Sequence, residues 1–377
     1  MPTKVYNNGS IYRGDMRGDL RHGYGSITTS DGRRYEGEWE DDQPGGNGRF
    51  EFADGSAYEG NFVNGLPNGE GVMEYSDGSK YTGWWKDGLW NGLGEYCYAN
   101  GGSYSGHFRE GNRHGHGKEH IEANNETYDG EWADDERCGK GRLEKNNGLV
   151  YEGDFSGGRP NGKGKYTWPN GESYEGDIKN GKMHGQGKYF FKSGGTYEGE
   201  FANDQIDGYG VETMASGDVF KGTRKNGERS GPGIYIHKNG SRYEGMYKDG
   251  APNGDGVYYY SDGDRYEGTF KDGERHGYGT YYHASGAVYT GEYKNHLPNG
   301  KGKYVYAKGS SYEGEFKDGK REGYGIYRFT DGGYYEGYFK ADNYHGRGKR
   351  VYSNGTVKEG YWENDNYVGP TDPGSNN

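Results

Sequence analysis

An aromatic residue returns at a fixed interval along this chain, and that interval limits the possible fold more than any other feature. It falls at Tyr12, Tyr35, Tyr58, Tyr81, Tyr104, Tyr128, Tyr151, Tyr174, Tyr197, Phe220, Tyr243, Tyr266, Tyr289, Tyr312 and Tyr335. The step is 23 residues throughout, except for 24 between Tyr104 and Tyr128. Self-similarity of one period means a repeat architecture, in which each unit buries its apolar face against its neighbours. Fifteen full copies fill residues 12–357 as one continuous array and leave no room for a second domain. Residues 1–11 read as an N-terminal half-repeat, with Tyr6 and Gly9 in the slots that close a copy. Residues 358–370 read as a partial copy that keeps Gly360 and Trp362, and 371–377 as a polar tail.

The copy beginning at Tyr312 shows what one unit does. In Tyr312-Glu313-Gly314-Glu315-Phe316 the two rings and Gly314 share one face and the glutamates the other, the alternation of a half-buried strand. In the second half Gly323, Gly325, Tyr327 and Phe329 fall on one side, and Tyr324, Ile326 and Arg328 on the other. A turn rich in Asp, Asn, Gly and Pro, such as Asn64 to Asn68, separates the halves, and Asp-Gly or Asn-Gly separates the copies. Each copy is therefore a β-hairpin. The expected fold class is all-β, an elongated single-layer antiparallel meander that advances about 10 Å per copy and about 150 Å in total.

Composition first argues against folding, since only 29% of residues are hydrophobic and the mean hydropathy is -1.28. The 41 Tyr, 13 Phe and 7 Trp reverse that conclusion, because each ring carries a large buriable area on few rotatable bonds. A single layer has no second layer to cover its apolar face. The in-register glycines, such as Gly314, Gly323 and Gly325, are expected to leave holes that receive rings of neighbouring strands. Formal charge is -12 with both signs interspersed, which opposes nucleic acid as a partner and weakens simple adhesion to an anionic membrane. Cys97 and Cys138 are the only cysteines, and no apolar stretch reaches the roughly 20 residues of a spanning helix. These features imply a soluble cytoplasmic protein.

The YEGEF, GYG and TDG elements of the copy at Tyr312, with YEGEW at Tyr35–Trp39 and YEGDF at Tyr151–Phe155, resemble the MORN (membrane occupation and recognition nexus) repeat. The all-repeat layout is similar to the cytoskeletal MORN proteins of apicomplexan and kinetoplastid protists. That resemblance implies a scaffold of membrane-associated ring or collar structures that forms homodimers through its C-terminal copies. It makes Tyr312, Phe316, Tyr335, Phe339 and Trp362 the candidate dimer interface, in keeping with the open strand edge near Trp362. The alternatives are a phosphoinositide- or phospholipid-binding module, which would need a clustered basic surface, and a radial-spoke-type ciliary adaptor. Partners would be cytoskeletal or membrane-associated proteins. They would engage by a helical or extended peptide on the ring-rich later copies: Tyr258, Tyr260, Tyr281, Tyr304, Tyr306 and Tyr327.

No chemistry stands out from the repeat. His22, His114, His184, His276 and His345 precede a Gly-x-Gly pair, but copies about 10 Å apart cannot share one metal, and Asn fills the slot elsewhere. The expectation is a hydrogen-bonding role, with no enzyme activity, cofactor or metal. The pattern breaks in two places. The copy at Tyr104 has an insertion near Asn124-Asn125 and Glu119 in a ring slot, and further on Glu212 and Arg224 replace rings. Looser packing is expected at both, with a bend near residues 210–230.

Overall fold

The computed structural model describes residues 2–371, so the expected polar tail lies, beyond Thr371, outside the described residues. The chain divides into two compact units, one ending at Lys192 and the other beginning at Ser193. In each unit sequential strands pair antiparallel into a single-layer open meander, and the described residues hold 33 strands and one short 3-10 turn.

The hairpins are tighter than the sequence suggests. Strand Ser311–Lys317 is joined to Lys320–Arg328 by Asp318-Gly319 alone, at φ 49° and 84°. Two left-handed residues make the hairpin turn whose twist matches that of the strands it joins, which is why Asp, Asn and Gly fill it everywhere except at Glu110, His296 and Ala341. In the copy at Tyr58 the turn is Asn64-Gly65 only, and Leu66, Pro67 and Asn68 belong to strand Leu66–Glu74. Proline fits there because Pro67 sits opposite Phe62 and offers only its carbonyl, which accepts the N–H of Gly88 in the next turn at 2.9 Å.

The core of a single layer is built from rings laid flat on glycine. Tyr312 is fully buried, and its hydroxyl donates to the Glu315 carbonyl at 2.9 Å. A Cβ on Gly314 or Gly325 would come within 2.5 Å of that ring. The ring therefore covers Gly314 of its own strand and, as the sequence suggested, Gly325 of the neighbouring one. Gly323 is different again: at φ 63° its missing Cβ would meet the Glu315 carboxylate, so it serves the backbone turn of a bulge and not the ring.

A second ring links the copies. Phe316 stands edge-on to Tyr312 of its own copy, at 5.1 Å and 86°, and to Tyr289 of the preceding one, at 5.0 Å and 87°. Trp39 repeats this between Tyr35 and Tyr12, and its Nε1 donates to the Gly25 carbonyl at 3.0 Å. Edge-to-face pairs are the favoured ring geometry, so the aromatic zipper replaces a second layer.

Where rings are missing, ion pairs take over. Glu119, only 7% exposed, sits opposite Tyr104 and Tyr128 and accepts Arg113 at 2.5 Å and Arg137 at 2.8 Å. Arg137 also holds Glu126 at 2.8 Å. The inserted residue turns the following loop into the 3-10 turn Glu122–Asn124, closed by Asn125 at φ 47°. In the second unit Glu212 binds Arg224 and lies 3.7 Å from Arg229. Strand pairing runs unbroken from Gln205 to Ile236. The expected loosening is thus met by charge-paired plugs at both sites.

Candidate functional site

The six rings singled out for partner contact fall in one row in the second unit, all half-buried. The row begins with Tyr235 and His237 (4.6 Å between ring centres), reaches Tyr258 at 6.2 Å, and continues through Tyr260 at 4.4 Å and Tyr281 at 5.6 Å. His283 follows at 4.6 Å, then Tyr304 at 5.9 Å, Tyr306 at 4.5 Å, Tyr327 at 5.8 Å and Phe329 at 4.7 Å. Arg350 then stacks on Phe329 at 3.5 Å and reaches Tyr352 at 4.7 Å. Each copy contributes a pair two residues apart on one face of its nine-residue strand and the loop after it, as strand alternation requires. Tyr235, His237, His283, Phe329, Arg350 and Tyr352 were not singled out from sequence, although their register alone would have found them.

Polar groups fix parts of this row and leave others free. Asp264 accepts the Tyr281 hydroxyl at 2.7 Å and the Ala284 N–H at 2.8 Å, and faces His283 at 3.3 Å. Burial works against that carboxylate, but these donors outweigh it and hold the group below its ordinary range. Burial, followed by the bond to Asp264, pushes the Tyr281 phenol up. Asp218 holds Tyr235 in the same way at 2.9 Å, and Ser310 accepts Tyr327 at 3.1 Å. The hydroxyls of Tyr258, Tyr260, Tyr304 and Tyr306 have no protein partner among the described residues.

A line of arginines runs beside the rings. Arg229, Arg275 and Arg321 lie 4.7, 5.0 and 5.3 Å from the rings of Tyr235, Tyr281 and Tyr327. Arg321 is paired with Asp342 at 3.3 Å, and Arg229 is loosely paired with Glu212. Arg275 meets only the His296 carbonyl, at 2.8 Å, and its Nε has no partner. Arg350, 9% exposed, bonds only the Val351 carbonyl, at 3.0 Å. Neither has a carboxylate within ion-pair distance among the described residues.

The other candidates lie elsewhere. Tyr312, Phe316, Tyr335, Phe339 and Trp362 are 0, 7, 0, 3 and 6% exposed, so within one chain their side chains belong to the core. What lies open nearby is backbone: strand Val357–Glu363 pairs with the last strand only through Tyr361, Trp362 and Glu363. His22 and His114 point at the next copy's turn, 3.7 Å from Asp41 and 3.8 Å from Asp134. Asn299 in the same slot donates to Asp318 at 3.3 Å. No group of three or more potential ligands gathers to hold a metal among the described residues. On the opposite face of the first unit a shallow groove of about 900 Å³ carries alternating pairs, Arg34–Glu36 at 2.5 Å, Arg49–Glu59 at 3.0 Å and Lys80–Glu74 at 3.3 Å. Its signs cancel.

Comparison with known proteins agrees with this architecture. The family profile described as MORN repeat matches fifteen consecutive segments, from 12–32 to 335–357, and this chain belongs to that family of structural repeats. No curated protein matches it significantly. Among solved structures it is similar to the SAS-4 (dCPAP) TCP domain of Drosophila melanogaster in complex with a proline-rich motif of Ana2 (dSTIL), at 17% identity and TM-score 0.28, covering 47% of this chain and 96% of that one. It is also similar to the TCP10 domain of Danio rerio CPAP, at 11% identity and TM-score 0.17, covering 66% and 94%. Scores so low bear on no question of function.

Proposed function

We propose that the chain is a non-enzymatic interaction scaffold whose second unit binds a segment of a cytoskeletal or membrane-associated protein along its ring row. The observation that supports this reading is the continuous line of half-buried rings from Tyr235 to Phe329, extended to Tyr352 by Arg350, with four hydroxyls free to bond a ligand. Amphipathic rings that are already held in place lose little freedom on binding, which suits them to recognition surfaces. The test is affinity capture from a cytoskeletal extract with the full chain and with Tyr258→Ser/Tyr304→Ser. Loss of the captured species from the variant is expected, and identical capture by both would refute the assignment of the row.

We further propose that copies of the chain associate through the strand edge at Val357–Lys358, before the Glu359 carbonyl that Tyr367 covers, since an unpaired strand edge accepts a second strand. Light scattering of the full chain beside a chain ending before Tyr312 tests this. A dimer that becomes a monomer on shortening supports it, and two monomers reject it.

A further inference from the structure

We infer that the occupant of the ring row is a proline-rich segment in polyproline II conformation, with acidic residues in register with Arg275 and Arg350. This rests on the scaffold reading above and adds the chemistry of the partner.

Three features of the row carry the inference. The first is its period. Rings within a copy are packed tightly, at 4.4 and 4.5 Å for Tyr258–Tyr260 and Tyr304–Tyr306. Rings of successive copies stand farther apart, at 6.2, 5.6, 5.9 and 5.8 Å from His237–Tyr258 to Tyr306–Tyr327. The alternation of tight and wide spacing gives one equivalent ring position per copy, and paired strands set its repeat at about 9.6 Å. A polyproline II helix turns once in three residues and about 9.3 Å, so every third side chain meets an equivalent ring position, with a drift of about 0.3 Å per copy. A strand, of period two, cannot present every third residue to one face. An α-helix repeats its face after seven residues, about 10.5 Å, and drifts about three times as fast.

The second feature is charge. Arg275 and Arg350 are the two arginines along the row with no carboxylate, one with an unbonded Nε and the other nine-tenths buried on Phe329. Arg350 occupies the register slot that Tyr281, Tyr304 and Tyr327 hold in the preceding copies, and Arg275 lies beside Tyr281. The two cations are thus three copies apart, about 29 Å along the row, and nine residues of polyproline II span about 28 Å. A carboxylate at each end of such a segment would supply the missing partners, and buried or half-buried guanidinium gains most from that pairing.

The third is the set of free hydroxyls. A polyproline II segment has no internal hydrogen bonds, so its carbonyls need donors. Tyr258, Tyr260, Tyr304 and Tyr306 are placed to give them, while the proline rings lie on the aromatic faces, as in other grooves that read such segments.

The experiment uses the full chain and a fluorescein-labelled peptide of about twelve residues, with proline at every third position and two aspartates nine residues apart, read by anisotropy. Binding is expected, weakened about tenfold when both aspartates become asparagine and further when they become lysine. Arg350→Gln is expected to lower affinity for the aspartate peptide about tenfold and to leave that for the asparagine peptide unchanged. Because the peptide series leaves the protein intact, a folding defect in the variant cannot mimic the result. Equal binding of the aspartate and lysine peptides, or no binding of either, overturns the inference. If a stapled amphipathic helix binds instead and Tyr304→Ser abolishes it, the polyproline assignment fails while the scaffold reading stands. If neither peptide binds and the ring variants capture the same proteins from extract, both fail.

Discussion

The two units share one backbone and one buried core, yet only the second carries a ring in the row's register slot through five successive copies, from Tyr235 to Tyr327, between Glu212 and Arg350. In the first, rings gather as Phe50–Phe52, then Tyr96–Tyr98, then Tyr166–Trp168 and Tyr189–Phe191, while Glu119 and Leu143 interrupt the same register slot. The slot that faces the row differs as well. In the second unit it reads Ile206, Arg229, Pro252, Arg275, Pro298, Arg321, Tyr344, with arginine and proline alternating from 229 to 321, but Arg21, Pro44, Pro67, Trp90, Arg113, Arg137, Pro160, Met183 in the first. Fully buried tyrosines recur without such differences in both. The fold is therefore carried by the rings on glycine, and individuality by a half-buried slot that the fold does not need.

The first way to break this comparison is alkaline unfolding, where the largest effect is expected. Burial raises Tyr58 in the first unit and Tyr243 and Tyr266 in the second to about 12, from 10.0. A group whose folded value lies above its unfolded one gives stability that is complete below the unfolded value and is lost as pH rises toward the folded one. Both units should lose stability together from pH about 10 to 12, with the phenolate absorbance of the buried tyrosines appearing only as circular dichroism is lost. Early, separate titration in one unit would show that the cores are not equivalent. Next, Tyr104→Ala and Tyr289→Ala should each cost about 3–5 kcal/mol in urea unfolding, since each strips a ring from two glycines and two neighbours. A gap of more than about 2 kcal/mol between them would deny a common core.

Much of this was legible in the sequence, because a period repeated fifteen times averages away local ambiguity. Strand alternation in Tyr312–Phe316 placed both rings on one face, and the row from Tyr258 to Tyr327 followed from the same register. Three things were not legible. Asn64 to Asn68 looked like one long turn because Pro and Asn signal turns, yet strand edges also tolerate a proline that has nothing to donate to. Gly323 and Gly325 looked equivalent, but only φ distinguishes a bulge glycine from a ring-bearing one. Glu119 looked like a defect because its partners, Arg113 six residues earlier on the same strand and Arg137 in the next copy, are found only through the geometry of the hairpins.

Glu119 offers the next, intermediate effect. Removing one member of a buried ion-pair cluster strands the others, typically at about 3 kcal/mol, and the partial exposure of Arg113 and Arg137, at 21 and 13%, reduces this to about 2. Glu119→Gln should show that loss by urea titration. Glu119→Tyr should recover little, because it restores a ring but takes from Arg113 and Arg137 the carboxylate they share, leaving them only Asp135 and Glu126. Full recovery with tyrosine would mean that the slot is sensitive to shape and not to charge, and that the two units differ less than their sequences do.

The smallest effect concerns the joints between copies. In every joint the turn's second residue donates its N–H to the carbonyl of the facing slot, at 2.9 Å for Gly319 to Pro298 and 3.0 Å for Asp342 to Arg321. Where the slot is arginine, the Asp342 carboxylate also accepts the Arg321 backbone N–H at 2.9 Å. Proline has no such N–H, and the turn residues that follow Pro44, Pro67, Pro160, Pro252 and Pro298 are all glycine, while aspartate follows Arg21, Arg113 and Arg321 and glycine follows Arg137 and Arg229. Aspartate is thus found where the slot has an N–H to give it, although such a slot does not require it. Gly319→Asp alone should destabilise, because a non-glycine residue takes the left-handed conformation with nothing to accept from. Pro298→Arg alone should add a donor without an acceptor. The double variant should regain about 1 kcal/mol over the sum of the two, the value of one part-exposed hydrogen bond to a charged group. Zero coupling in a double-mutant cycle would show that the alternation of arginine and proline along the second unit serves the ring row alone and not the joints.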